Sequence, residues 1–144
     1  MTSLTPYLCC KDASRAIAFY VRAFGATETM RLAEPGGKIG HAEISVGGAS
    51  IMLSDEYPDH GVRSPLSIGG TPVKLHLYVD DVDAVVARAA AAGATVVRPV
   101  QDQFYGDRSG EVADPFGHHW MLSTKTERLT AEEIQRRYAQ LSGA

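Results

Sequence analysis

The chain contains a weakened copy of itself, and this limits its fold more than any other feature. Gly25-Ala26-Thr27, closing a helical pattern, returns as Gly93-Ala94-Thr95. Met52-Leu53-Ser54 returns as Met121-Leu122-Ser123, and the runs around Tyr7 and His76 align in the same register to within one position. A duplicated segment must fold twice into one supersecondary unit. The first copy reads as a strand over 4–10, then a helix capped by Asp12 with Ala16, Phe19, Tyr20, Ala23 and Phe24 on one stripe, ending at Gly25. Strands follow near 27–33, 39–46 and 49–54, turned at Gly36-Gly37 and Gly47-Gly48. The second copy gives a strand over 73–79, a helix from Val82 to Ala92, and strands near 94–99, 110–114 and 119–124. The unit is βαβββ, used twice. The expected class is therefore α+β. Module one covers about 3–55, a Gly/Pro-rich linker 56–72, and module two 73–125. Thr130-Ala-Glu-Glu133 is a capping-box pattern that starts a final helix over 130–141, with Ile134, Tyr138 and Leu141 on one stripe.

Side chains alternate across a strand. One face carries Leu8 and Cys10, Ile51 and Leu53, Leu75, Leu77 and Val79, and Trp120 and Leu122, so it belongs under the helices. The other carries Thr5, Tyr7 and Cys9, Met52, Lys74, His76 and Tyr78, and His119 and Met121, joined by His41 and Glu43 from the strand over 39–46. Such a face can simply meet water. Aromatics and methionines among the polar groups point instead to a ligand surface with apolar walls.

The 144 residues carry 14 basic and 17 acidic side chains, a net charge of −3, which argues against a general nucleic-acid binder. No apolar run nears the ~20 residues of a membrane span, and the start shows no secretory pattern. Cys9 and Cys10 are neighbours, with neither disulfide nor zinc spacing. The expected location is cytoplasmic, with a small molecule as partner and neither nucleic acid nor membrane.

The two βαβββ halves, Phe19-Tyr20 with Phe24-Gly25-Ala26, and Asp114-Pro-Phe-Gly-His-His-Trp120 before the last strand resemble the vicinal oxygen chelate superfamily of glyoxalases, bleomycin-resistance proteins and dioxygenases. Phe104-Tyr-Gly-Asp-Arg-Ser-Gly110 and the Thr-Ala-Glu-Glu-Ile tail look like its PhnB-like branch. The resemblance implies a mixed sheet curled into an open cup by paired modules, and a homodimer with exchanged modules. It also implies a divalent-metal site on the first and last strand of each half. Those positions fall on Thr5, Met52, Lys74 and Met121, or on Tyr7 and His76 for the first strands after a shift of two. None of the first four is a normal ligand for a hard ion. The expectation is therefore no cofactor and a small-molecule binder using Tyr7, Met52, Lys74, His76, Tyr78, Phe104, Tyr105, Arg108, His119 and Met121. Arg108 would clamp an anion from the loop over 101–110, or else pair with Asp107 in a turn. The alternative is a lyase, isomerase or dioxygenase with a divalent metal on His41, Glu43, His76 and His119 and with Glu43 or His76 as base. A third reading keeps the fold with a vestigial cup. His60 is expected to be a solvated linker residue, and Asp114-Pro-Phe-Gly a structural turn.

Overall fold

The computed structural model describes residues 1–143. Module one runs β1 (Tyr7–Cys9), α1 (Ala13–Phe24), β2 (Thr27–Ala33), β3 (Ile39–Val46) and β4 (Ala49–Ser54). A short 3-10 turn at Pro58–His60 and the one-turn α2 (Pro65–Ile68) lie in the connecting strap. Module two runs β5 (Lys74–Tyr78), α3 (Val82–Ala92), β6 (Thr95–Asp102), β7 (Asp107–Ala113) and β8 (His119–Lys125), and α4 (Ala131–Leu141) closes the chain. The strand orders are β1-β4-β3-β2 and β5-β8-β7-β6, the same topology in each half, with β1–β4 and β5–β8 parallel and the other pairs antiparallel. The fold is α+β with two mixed four-stranded sheets. Among the described residues the two sheets are not hydrogen-bonded to each other. No described helix is long and apolar enough to cross a membrane.

The duplication extends to the caps. Asp12 accepts from Arg15 N, and Asp81, its equivalent in the second copy, accepts from Ala84 N. Asp55 takes Ala13 N at 2.9 Å and Ile39 N at 2.7 Å; its counterpart Thr124 takes Val82 N at 2.8 Å. Each helix thus starts on a side chain supplied by the end of its module's last strand, which satisfies donors a helix start leaves free.

The modules meet through α1 and α3 and an aromatic cluster. Phe24 and Trp120 have ring centroids 4.7 Å apart, Tyr20 and Trp120 5.3 Å, and Phe19 and Phe116 6.4 Å. Asp114 sits among them at 5% exposure and accepts from Tyr20 Oη, Trp120 Nε1, Phe116 N and His118 N at 2.6–3.0 Å. The Asp-Pro-Phe-Gly turn therefore also ties module one's helix to module two. His118 adds a second tie, donating from Nε2 to the Cys9 carbonyl at 2.8 Å.

Three strand boundaries differ from the sequence reading by more than one residue. β1 spans only Tyr7–Cys9, so Thr5 lies before it. β6 extends to Asp102 and β7 starts at Asp107, which shrinks the expected loop over 101–110 to a turn at 103–106. The turn is closed by Gln103 N to Asp107 O at 2.7 Å and a positive φ of 92° at Gly106. Gly110, read as the end of that loop and the first residue of the next strand, is mid-strand. A Cβ there would stand 3.0 Å from Val100 Cγ2 and 3.2 Å from Arg98 O, so glycine lets irregular β6 approach.

In the strap, Glu56 accepts from Ser64 N, Ser64 Oγ and Ser67 Oγ and pins the start of α2. The two serine hydroxyls and the Ser64 amide lower its carboxyl to about 2. A depressed carboxyl stabilises the fold above its ordinary range, and that support is lost as pH falls through about 2. Glu56→Gln is expected to reduce the loss of thermal midpoint between pH 5 and about pH 2.5; an unchanged acid limb would contradict the clamp.

Candidate functional site

On the face opposite the helices, each sheet carries the same three-residue row. Met52 on β4 stands between Tyr7 on β1 and Glu43 on β3; Met121 on β8 stands between His76 on β5 and Glu111 on β7. The neighbours of the methionines along the strands point inward: Ile51, Leu53, Trp120 and Leu122 are all buried. The realised cross-strand partners of the two methionines are thus Tyr7 and His76, the two-residue shift of the register, while Lys74 stands beside His119.

In module one, Tyr7 Oη lies 2.7 Å from His41 Nδ1, and His41 Nε2 lies 2.8 Å from Glu43 Oε2. Beside this chain of contacts a cleft of about 640 Å³ opens between β1, β4 and the strap, lined by Tyr7, Cys9, Tyr57, His60, Val62 and Arg63. His60, read as a solvated linker residue, therefore borders a cleft. The Cys9 thiol is pushed up to about 11, by burial first and then by the Glu56 and Asp55 carboxylates. It is a thiol at neutral pH and no nucleophile.

In module two the centre is Glu111, 4% exposed. Lys74 Nζ approaches its Oε1 at 2.8 Å, Arg98 at 3.5 Å, and His119 Nδ1 its Oε2 at 3.0 Å. Burial pushes this carboxyl up, but the Lys74 and His119 hydrogen bonds and the Lys74 and Arg98 charges outweigh it and hold it below its ordinary value. A smaller cleft of about 160 Å³ is lined by Arg98, Gln101, Tyr105, Ser109, Glu111 and Met121. His76 Nε2 meets Ser123 Oγ at 2.8 Å, and its ring lies 4.6 Å from that of Tyr78. Tyr78 donates to the buried Asp107 at 2.7 Å, and that bond, with burial, raises its phenol to about 12.

Two expected site residues are directed elsewhere. Arg108 forks onto Asp83 of α3 at 2.8 and 3.0 Å and reaches Asp102 at 3.2 Å, so it braces β7 against α3 instead of reaching over a ligand, and it does not pair with Asp107. Phe104 packs on Tyr105 at 5.1 Å and on Tyr138 of α4 at 5.6 Å. Of these, only Tyr105 reaches a cleft. The residues proposed to share one metal lie in two places: His41 and Glu43 on the first sheet, His76 and His119 on the second. Among the described residues no three His, Cys, Asp or Glu converge as a metal cluster. Sequence reasoning missed Glu111 and the strap residues Tyr57, Val62 and Arg63. Glu111 had a signal, because it stands in the second copy where Glu43 stands in the first; the strap has no repeat partner and gave none.

Comparison with known proteins places this architecture. The profile of the Glyoxalase/Bleomycin resistance protein/Dioxygenase superfamily matches residues 3–122. An uncharacterised protein of Mycobacterium bovis, Mb0911c, is 50% identical over 136 residues, covering 92% of this chain and 90% of that protein. The crystal structure of TioX from Micromonospora sp. ML1 superposes with a TM-score of 0.67 at 31% identity, over 90% of this chain and all of that one. The fosfomycin resistance protein FosX of Listeria monocytogenes, solved with Mn(II) and sulfate, shares the fold with a TM-score of 0.67 at 21% identity, over 96% of this chain and 97% of that one. With its twofold βαβββ topology and this match across most of its length, the chain belongs to the glyoxalase/bleomycin resistance protein/dioxygenase superfamily.

Proposed function

We propose that this protein is a metal-independent binder of a small aromatic or anionic organic compound, working in the cytoplasm and belonging to the PhnB-like branch. The observation that carries the reading is the pair Met52 and Met121. Each sits mid-row on the helix-free face, between an aromatic or imidazole ring and a carboxylate. Thioethers suit soft ions and apolar or aromatic ligands, and they do not suit a hard divalent cation. The nearby carboxylates are already engaged, Glu43 by His41 and Glu111 by Lys74 and His119. The donor set therefore does not fit the superfamily's divalent ion, and no step is derived through one. Tyr7 and Tyr78, each about half exposed, offer ring faces for stacking. After reconstitution with Zn, Ni, Mn or Fe and desalting, the untagged protein is expected to retain less than about a tenth of an equivalent; a full retained equivalent would contradict the reading.

The same reading takes the working form as a homodimer with exchanged modules. β1, β2, β5 and β6 each pair on one side only, leaving four open sheet edges, those of β1 and β5 next to the methionine strands β4 and β8. Light scattering is expected to give twice the chain mass; a monomer at all concentrations would refute the dimer.

A further inference from the structure

Tyr7, His41 and Glu43 are joined end to end, and the joining has a direction. A carboxylate only accepts, so His41 Nε2, 2.8 Å from Glu43, carries the ring proton. Nδ1 then presents a lone pair, and Tyr7, 2.7 Å away, is the donor to it. The order is phenol, imidazole, carboxylate. Exposure drops behind the phenol: Tyr7 is 52% exposed, whereas the side chains of His41 and Glu43 are only 23% and 26% exposed. The accessible end is the phenol, and Tyr7 also lines the cleft of about 640 Å³ under the strap. Nucleophile or acid, imidazole and orienting carboxylate in this order make a proton-transfer arrangement recognised by geometry and not by fold.

We propose that Tyr7, His41 and Glu43 form a proton relay that ionises a weakly acidic aromatic hydroxyl compound, a phenol, bound in the cleft under the strap. The inference rests on the reading that this cleft takes a small organic ligand. The ligand O–H bond breaks and its proton passes to Tyr7 Oη. The proton of Tyr7 moves to Nδ1 of His41. The products are a bound phenolate, a neutral Tyr7 and an imidazolium held by the Glu43 carboxylate, and no oxidant or co-reactant is needed. Tyr57 and Val62 supply apolar wall, while Arg63 and His60 border the cleft where the new negative charge would lie.

Two other titratable side chains at the cleft, Cys9 and Tyr57, do not compete for the role. Cys9 is held as a thiol, and Tyr57 donates to Glu34 with Lys38 4.0 Å above its ring, its phenol raised to about 12 first by that bond. Module two has no second relay. The residues equivalent to Tyr7, His41 and Glu43 in the second copy are His76, Ser109 and Glu111, and Glu111 is taken by Lys74 and His119.

The probe is 4-nitrophenol, whose ionised form absorbs in the visible. It is titrated into the protein at a pH where the free compound is mostly unionised, with the thermal midpoint as an independent measure of binding. In the wild-type protein at saturation the bound probe is expected to be ionised; in Y7F and H41Q the ionised fraction of bound probe should fall at least about tenfold in ionised-to-neutral ratio. Should either substitution unfold the chain, E43Q gives the same reading through loss of the imidazolium's partner. Absence of any midpoint shift in the wild-type protein would overturn both the ligand reading of the cleft and the relay. A probe that binds but stays neutral, or is equally ionised in Y7F and H41Q, would overturn the relay alone.

Discussion

Replacing Asp114 with alanine is expected to lower the unfolding free energy by about 3–5 kcal/mol, the scale for removing one partner of a buried charged network. Its carboxylate satisfies four donors from two modules: Tyr20 Oη, Trp120 Nε1, and the backbone amides of Phe116 and His118. Alanine would leave a buried phenol and a buried indole N–H without partners, at about 1–3 kcal/mol for each unsatisfied group, with incomplete additivity. It would also loosen the Pro115-Phe116-Gly117 turn and with it the contact of α1 with module two. Asp114→Asn keeps the shape and one acceptor oxygen, so its cost should be roughly half. Denaturant unfolding reads both. A loss below about 1 kcal/mol for the alanine variant would show that the modules are held together by the aromatic contacts alone.

The second large effect exploits the duplication. Gly48 and Gly117 are equivalent turn residues of the two copies, with φ of 87° and 90°. A Cβ at Gly48 would meet nothing within 4 Å, whereas one at Gly117 would stand 2.8 Å from Pro65 Cβ and 3.3 Å from Leu66 Cδ2, both in α2. Gly48→Ala therefore carries only the backbone strain of a positive φ, about 1–2 kcal/mol. Gly117→Ala adds displacement of α2 and should cost roughly 3 kcal/mol or more. Equal losses for the two, measured by thermal or denaturant unfolding, would mean that the strap does not bear on module two.

The helices α1, α3 and α4 and most strands were legible in the sequence because each has a local cause, whereas the one-turn α2 fell in the expected linker. Asp12 and Thr130 cap, Gly25 and Gly93 stop, and the apolar stripe of α1 is the face buried against module two. The end of β6 and the start of β7 were not, because Gly106 and Gly110 look alike in sequence. One sits at a positive φ in a turn, and the other sits mid-strand where β6 comes close. Arg108 illustrates a similar limit for the site. Its sequence neighbour Asp107 suggested a local pair, but the distant carboxylate of Asp83 on α3 takes its fork, and Asp102 takes a further nitrogen. The face carrying Met52 and Met121 followed from alternation alone. The strap's part in a cleft did not, since only tertiary folding brings Tyr57, His60 and Arg63 to Tyr7.

The central claim is that this member of the superfamily holds an organic ligand without a metal, and calorimetry tests it most directly. Metal-stripped protein is titrated with a panel of aromatic acids and phenols in the presence of a chelator, and again with Mn, Zn or Ni supplied. The account predicts that at least one compound binds and that its affinity changes less than about twofold on adding metal. Binding that appears only once a divalent ion is restored would contradict it.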